Sequence, residues 1–245
     1  MGKLKEEIIQ SLIDQKEIFG DELFEEIRLT KIEQPAEKQT DENIINEASG
    51  DEEWQNAETL EQFEAAIQNC TKCELHKGRT NLVFGVGNPN ADVMVIGEGP
   101  GAEEDKQGEP FVGRAGKLLN DILKAINFNR EEVYIANIVK SRPPGNRTPM
   151  PSEMQACIPY LIKQINLIKP KVILCLGLTA AKGLLRKNET LTNFRGKVFD
   201  YINGTKVMVT YHPAALLRNP GWKRGCWEDV QAFRKLYDEI MQKQN

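Results

Sequence analysis

The chain has 245 residues, 40% hydrophobic and 28% charged, enough to bury one full domain core and carry an appendage. Its formal net charge of -4 hides an asymmetry: residues 1–60 hold 17 acidic against 6 basic side chains, whereas residues 61–245 hold 19 against 26, a balance that favours a polyanionic partner. No apolar run approaches membrane-spanning length, no secretory h-region opens the sequence, and five cysteines with a C-x-x-C pair argue against a disulfide scaffold, so the expectation is a soluble cytoplasmic protein with no membrane partner.

Residues 3–29 set Leu4, Ile8, Ile9, Leu12, Ile13, Ile18, Phe19, Leu23 and Phe24 among charges, the pattern of one or two amphipathic helices broken near Gly20. Residues 30–54 are rich in Glu, Gln, Asp and Asn and read as a flexible linker. The expected division is therefore an acidic N-terminal extension over 1–56, whose helices suit an unidentified protein partner, and a main domain over 57–245. A helix from Leu60 runs into Cys70-Thr-Lys-Cys73. Val93–Ile96 is an unbroken apolar run fit for a strand buried on both faces, stopped by the turn Gly97, Glu98, Gly99, Pro100, Gly101. Glu98, Glu103, Glu104 and Asp105 then crowd into one loop with Phe111 before a helix from Gly113, whose Leu118, Leu119, Ile122, Leu123 and Ile126 share a face. The next strand spans Val133–Val139 and places Asn137, a poor strand former, near its carboxyl end. A basic, proline-rich loop with Lys140, Arg142 and Arg147 follows it. A helix over Ser152–Ile168, capped by Ser152 with Gln155 three residues on, carries Cys157. Val172–Leu176 is a strand, Thr179–Leu185 a helix, and Val198–Ile202 and Val207–Thr210 are strands joined at Asn203-Gly204. Tyr211-His212-Pro213 leads to a final helix from Trp222 to about Met241. This alternation predicts an α/β fold, a mostly parallel central sheet with helices on both faces, preceded by a helical N-terminal extension.

Loops after Ile96, Asn137 and Thr210 each follow a strand and hold polar groups, and in a parallel sheet they converge on one edge. Their sequences, GEGPGAEEDKQGEPFVGRAGKLL, NIVKSRPPGNRTP and YHPAALLRNP, with the upstream C-x-x-C and the cysteine of the following helix, resemble the iron-sulfur uracil-DNA glycosylases of bacteria and archaea. The resemblance covers about residue 60 to the C-terminus. It implies excision of uracil from DNA, single- or double-stranded, by hydrolysis of the N-glycosidic bond, in a monomer.

Such chemistry requires that the uracil be flipped into a pocket, stacked on an aromatic face and read along its Watson–Crick edge. Phe111 is the candidate stacking platform. Asn137, one acceptor and two donors on a planar amide, matches the N3–H and O4 of uracil. Negative charge builds on the departing base, so a donor at uracil O2 stabilises the transition state, a role that suits His212. By resemblance Gly97 and Glu98 border the pocket, and an acid near the sugar, Glu98 or Glu104, orients water or steadies the cationic sugar. Leu216 or Leu217 is the candidate wedge into the base stack, with Arg218 on a phosphate, and Arg142, Arg147 and Lys140 are further phosphate candidates.

The resemblance also implies a 4Fe-4S cluster held by four cysteines. Cys70, Cys73 and Cys157 match; the fourth position is Ser141, a far poorer iron ligand than a thiolate. Cys175 reads as a core residue, Cys226 as a spare thiol, and His76 as structural. Two other classes fit parts of the sequence: a catalytically silent DNA-binding or uracil-sensing protein, and a nucleotide-phosphate-binding regulator using only the glycine-rich turn. A covalent-bonding variant of the family needs a histidine in an inserted loop, and none lies between Asn137 and Tyr211.

Overall fold

A computed structural model describes residues 32–33 and 52–243; the amphipathic segment expected over residues 3–29 lies outside the described residues. Among the described residues seven strands form one sheet: β1 (Ile32–Glu33), β2 (Val86–Gly87), β3 (Val93–Gly97), β4 (Tyr134–Asn137), β5 (Val172–Leu176), β6 (Val198–Asp200) and β7 (Lys206–Thr210). Their order is β1-β6-β7-β5-β3-β4-β2. The central four, β7, β5, β3 and β4, are mutually parallel, while β2 and β6 join them antiparallel. The expected mostly parallel sheet is therefore present, with antiparallel strands flanking it. β1 pairs with β6 through Ile32 and Val198, so part of the stretch read as linker is sheet edge.

The helices are α1 (Leu60–Ile67), α2 (Ala102–Gln107), α3 (Arg114–Ala125), α4 (Pro151–Ile168), α5 (Leu178–Leu185), α6 (Leu191–Phe194), α7 (Pro213–Arg218) and α8 (Lys223–Gln242). Period-two alternation along each strand sorts them into two layers. Met94, Ile96, Ile173, Cys175, Val207 and Val209 face a core shared with α1, α4 and α5. Val93, Val95, Val172, Leu174 and Met208 face the other, shared with α3, α7 and α8. This accounts for the uninterrupted apolar runs: strands covered on both sides have no wet face. Among the described residues, no helix is long and apolar enough to cross a membrane.

Several boundaries differ from expectation. The acidic run after Gly101 is not simply loop but the short helix α2, and Asp105 inside it is buried, accepting the backbone N–H of Thr80 at 2.8 Å. The N-cap of α4 is Met150, not Ser152, because Glu153 folds back to accept the Met150 N–H at 2.7 Å and Pro151 supplies a preset first turn. Packing also begins before residue 57: Trp54 is buried edge-on against Tyr160, with ring centres 5.0 Å apart, and Lys163 donates to the carbonyl of Gln55.

Candidate active site

The strand order reverses around β3: β4 lies on one side of it and β5 on the other, the arrangement in which loops at the carboxyl edge part to leave a crevice. A cavity of about 420 Å³ lies there, within the range of small-ligand sites. Glu98, Gly101, Glu104 and Phe111 enter it from the loop after β3. Asn137 and Arg147 enter from the end of β4 and its loop, and His212 and Arg218 from the segment after β7. The three loops singled out in the sequence therefore meet.

Asn137 ends β4 as a buried side chain whose amide oxygen has no hydrogen-bond partner. Leaving a buried acceptor unpaired costs roughly 1–3 kcal/mol, so its natural explanation is a ligand donor. Gly97, hydrogen-bonded beside it on β3, keeps the space open: a Cβ there would come within 2.5 Å of that oxygen and 2.6 Å of the Phe111 ring. Phe111 itself adopts φ +55°, a left-handed conformation costly for a bulky residue. Its surroundings enforce it. Arg130 donates to the carbonyls of Pro110 at 2.6 Å and Phe111 at 3.3 Å, and Gly116 on α3 lets the Phe111 backbone approach where any Cβ would collide.

The Phe111 ring faces His212, centres 5.5 Å apart and tilted 30°. His212 caps α7, its Nδ1 accepting the Ala214 N–H at 3.1 Å. Occupied as an acceptor, Nδ1 carries no proton, and the neutral ring has its one N–H on Nε2. Burial, reinforced by the nearby Arg218 charge and opposed by Glu104, lowers the imidazole pKa to about 4. At neutral pH His212 is thus an uncharged hydrogen-bond donor. Gly177, at the end of β5 with φ +88°, packs beneath it, where a Cβ would lie 3.1 Å from that of His212.

The two acids expected near the sugar differ in engagement. Glu104 accepts three backbone N–H groups, from Gly101, Val112 and Gly113, each at 3.1 Å, and so clamps the loop that carries Phe111. Glu98 lines the same cavity and has no side-chain hydrogen bond among the described residues.

Three expected DNA contacts change. Leu216, on the inward face of α7, is fully buried in the second core, so only Leu217, 46% exposed, is available as a wedge. Leu216→Ala is accordingly expected to lower stability by about 2–5 kcal/mol in chemical denaturation, whereas Leu217→Ala leaves the denaturation midpoint in place. Lys140 is buried, not a surface cation: its Nζ donates to the Asn137 carbonyl at 3.0 Å and to Gln164 Oε1 at 2.5 Å, and burial lowers its pKa to about 8. It fastens the backbone of Asn137, a role the basic loop composition concealed. Arg147 borders the cavity with its guanidinium engaged by both oxygens of Glu153, at 2.8 and 2.6 Å. Arg142 is partly exposed and donates to Asn146, and Arg218 is exposed at the cavity rim. Asn146 and Thr148, which also line the cavity, drew no notice as sequence because nothing in a proline-rich loop marks which polar residue turns inward.

Cys70, Cys73, Ser141 and Cys157 line a second, small cavity of about 10 Å³ on the α1–α4 side of the sheet. The Lys140 N–H donates to Cys157 Sγ at 3.3 Å, Cys70 Sγ lies 3.3 Å from the Tyr160 hydroxyl, and Arg79 donates to Ser141 Oγ at 3.1 Å. Among the described residues, no three His, Cys, Asp or Glu side chains close on a single-ion site. A polynuclear cluster spreads its ligands farther apart than one ion does, so three thiols and a hydroxyl on one hollow fit such a group in donor chemistry. Cys175 lies in the β5 core, as expected, and Cys226 is buried in the opposite layer, away from the other three thiols. All five cysteines are free. His76 hydrogen-bonds the Cys73 carbonyl at 2.8 Å.

A family model described as the uracil DNA glycosylase superfamily matches residues 84–236. The chain belongs to the uracil-DNA glycosylase superfamily. It is 48% identical to the Type-4 uracil-DNA glycosylase of Thermotoga maritima over 73% of this chain and 95% of that protein. The Type-4 enzymes of Pyrobaculum aerophilum and Archaeoglobus fulgidus are 46% and 42% identical, covering 71% and 73% of this chain and 92% and 94% of theirs. The superfamily match spans the loops that carry Phe111, Asn137 and His212, and it begins after the C-x-x-C pair.

Proposed function

We propose that this protein is a uracil-DNA glycosylase that hydrolyses the bond between uracil and deoxyribose in DNA, leaving an abasic site for repair. The unpaired amide oxygen of Asn137, buried beside the Phe111 ring, is the observation that supports this most. A uracil stacked on Phe111 gives that oxygen its N3–H and takes the amide N–H on O4, removing the penalty of an orphaned acceptor. His212 Nε2–H then points to O2. As the C1′–N1 bond breaks, its electron pair moves into the base and charge accumulates on O2, where a neutral donor in a secluded site is most effective. Water adds to C1′ of the cationic sugar. Of the two acids, Glu98 has the free carboxylate to orient that water and take its proton, while Glu104 holds the loop in shape. Arg142 and Arg218 suit phosphates on either side of the flipped nucleotide, with Leu217 filling the gap it leaves.

The test is incubation with a uracil-containing oligonucleotide followed by alkali. Strand scission at the uracil position is expected; an intact strand after prolonged incubation would instead favour a silent uracil-binding protein.

The cysteine cavity is proposed to hold a 4Fe-4S cluster through Cys70, Cys73 and Cys157, with Ser141 at the fourth iron. Such a cluster supplies no redox step to a hydrolysis; the four residues tie α1, the β4 loop and α4 together behind Asn137. A hydroxyl is a weak ligand for iron, so Ser141→Cys is expected to retain more iron per protein and to bleach more slowly in air than the natural protein. Equal iron content and bleaching would remove Ser141 from the ligand set. Five cysteines with no disulfide between them suit the reducing interior of a cytoplasmic enzyme.

A further inference from the structure

Four large hydrophobic side chains are conspicuously exposed among the described residues: Met150, Leu178, Leu217 and Trp222. They lie on segments that follow the carboxyl ends of β4, β5 and β7, the edge of the sheet where the active-site cavity opens. An apolar group in water on each of three such segments, with none elsewhere among the described residues, marks that edge as a contact face.

Trp222 is the most elaborately supported of the four. It is 43% exposed and stacks on Tyr211, ring centres 5.2 Å apart and 25° from parallel. Tyr211 directly precedes His212. Its hydroxyl accepts from Arg195 at 2.7 Å, and the Arg195 guanidinium carbon lies 4.1 Å from the phenol centre. Arg195 is fixed in turn by both oxygens of Asp229, at 2.6 and 3.2 Å, and by the Gly225 carbonyl at 2.7 Å; Thr210 donates to the same carboxylate at 2.7 Å. The indole therefore rests on a phenol that cannot easily turn, while much of its own surface is open to water. Arg218 and Lys223 flank it in the chain and supply positive charge for a phosphate backbone.

We propose that Trp222 is a stacking platform for a nucleobase next to the extruded uracil, making this enzyme a binder of single-stranded DNA around its target. The proposal rests on the glycosylase assignment, yet its test does not. Trp54 and Trp227 are buried, so Trp222 is the one exposed tryptophan and dominates any ligand-induced change in indole emission. Titration with a uracil-free oligothymidylate is expected to quench that emission in the natural protein. Trp222→Ala is expected to weaken binding of the same strand about 5- to 100-fold, judged by anisotropy of a labelled oligonucleotide, and Trp222→Phe to restore most of it, because any aromatic face stacks. Unquenched emission, equal affinity in Trp222→Ala, or equal loss in the alanine and phenylalanine variants would each overturn the proposal. Failure to excise uracil, with quenching and rescue intact, would overturn the assignment of activity instead.

Discussion

Asn137→Ala is expected to reduce kcat/KM for uracil excision by on the order of 100-fold or more, from the loss of two hydrogen bonds to the base edge. The fall should be accompanied by a collapse of discrimination. Cytosine presents an acceptor at N3 and donors at N4, the inverse of uracil, so an intact Asn137 leaves two mismatched polar pairs against it. An alanine meets both bases with the same methyl group. Competition between uracil- and cytosine-containing strands in single-turnover assays reads the effect, and unchanged selectivity would remove Asn137 from recognition. Stability is expected to change little, since the amide oxygen has no partner to lose within the protein.

His212→Ala is expected to act on kcat, by about 10²–10³-fold with a far smaller change in KM, because charge reaches O2 only as the bond breaks. The pH dependence follows from the imidazole value of about 4, well below its ordinary 6.5. The ring is neutral at every pH above that value, so its contribution to kcat should stay level from pH 8 down to about pH 5 and fail only as the pH approaches 4. Protonation would also expel the Ala214 N–H from Nδ1. Between pH 4 and 6.5 the folded state binds fewer protons than the unfolded chain, so the stabilisation linked to His212 is complete above about pH 6.5 and is lost as the pH falls toward 4. A kinetic transition near pH 6.5 that disappears in His212→Ala would contradict a neutral donor.

The residues that carry these effects were legible in the sequence because strand ends punctuate it. Four parallel strands read as apolar runs, and two of them lead into a polar residue out of place, Asn137 closing β4 and His212 just beyond β7, where a parallel sheet gathers its loops. Phe111 stood out by composition alone, as the one aromatic in an acidic, glycine-rich loop. Its left-handed backbone was not legible, since it depends on Arg130, 19 residues further on, reaching back to the Phe111 carbonyl and on how closely Gly116 of α3 packs against it. The choice between Leu216 and Leu217 depended on the phase of a helix of one and a half turns, too short to show a period. Lys140 was misread for a different reason: in a basic loop one lysine looks like another, and only the packing of Gln164 behind β4 reveals that this one points inward. Glu98 and Glu104 were indistinguishable as acids in one loop, and the three backbone N–H groups that occupy Glu104 belong to a fold the loop's own residues do not announce.

Three side chains from separate loops are required to converge on a single extruded pyrimidine, and a crystal structure with uracil bound observes this without reference to rate. The base should lie against the Phe111 ring, with N3 and O4 within hydrogen-bonding distance of the Asn137 amide and O2 facing His212 Nε2. A uracil bound outside this cavity, or seated in it with its Watson–Crick edge turned away from Asn137, would contradict the assignment.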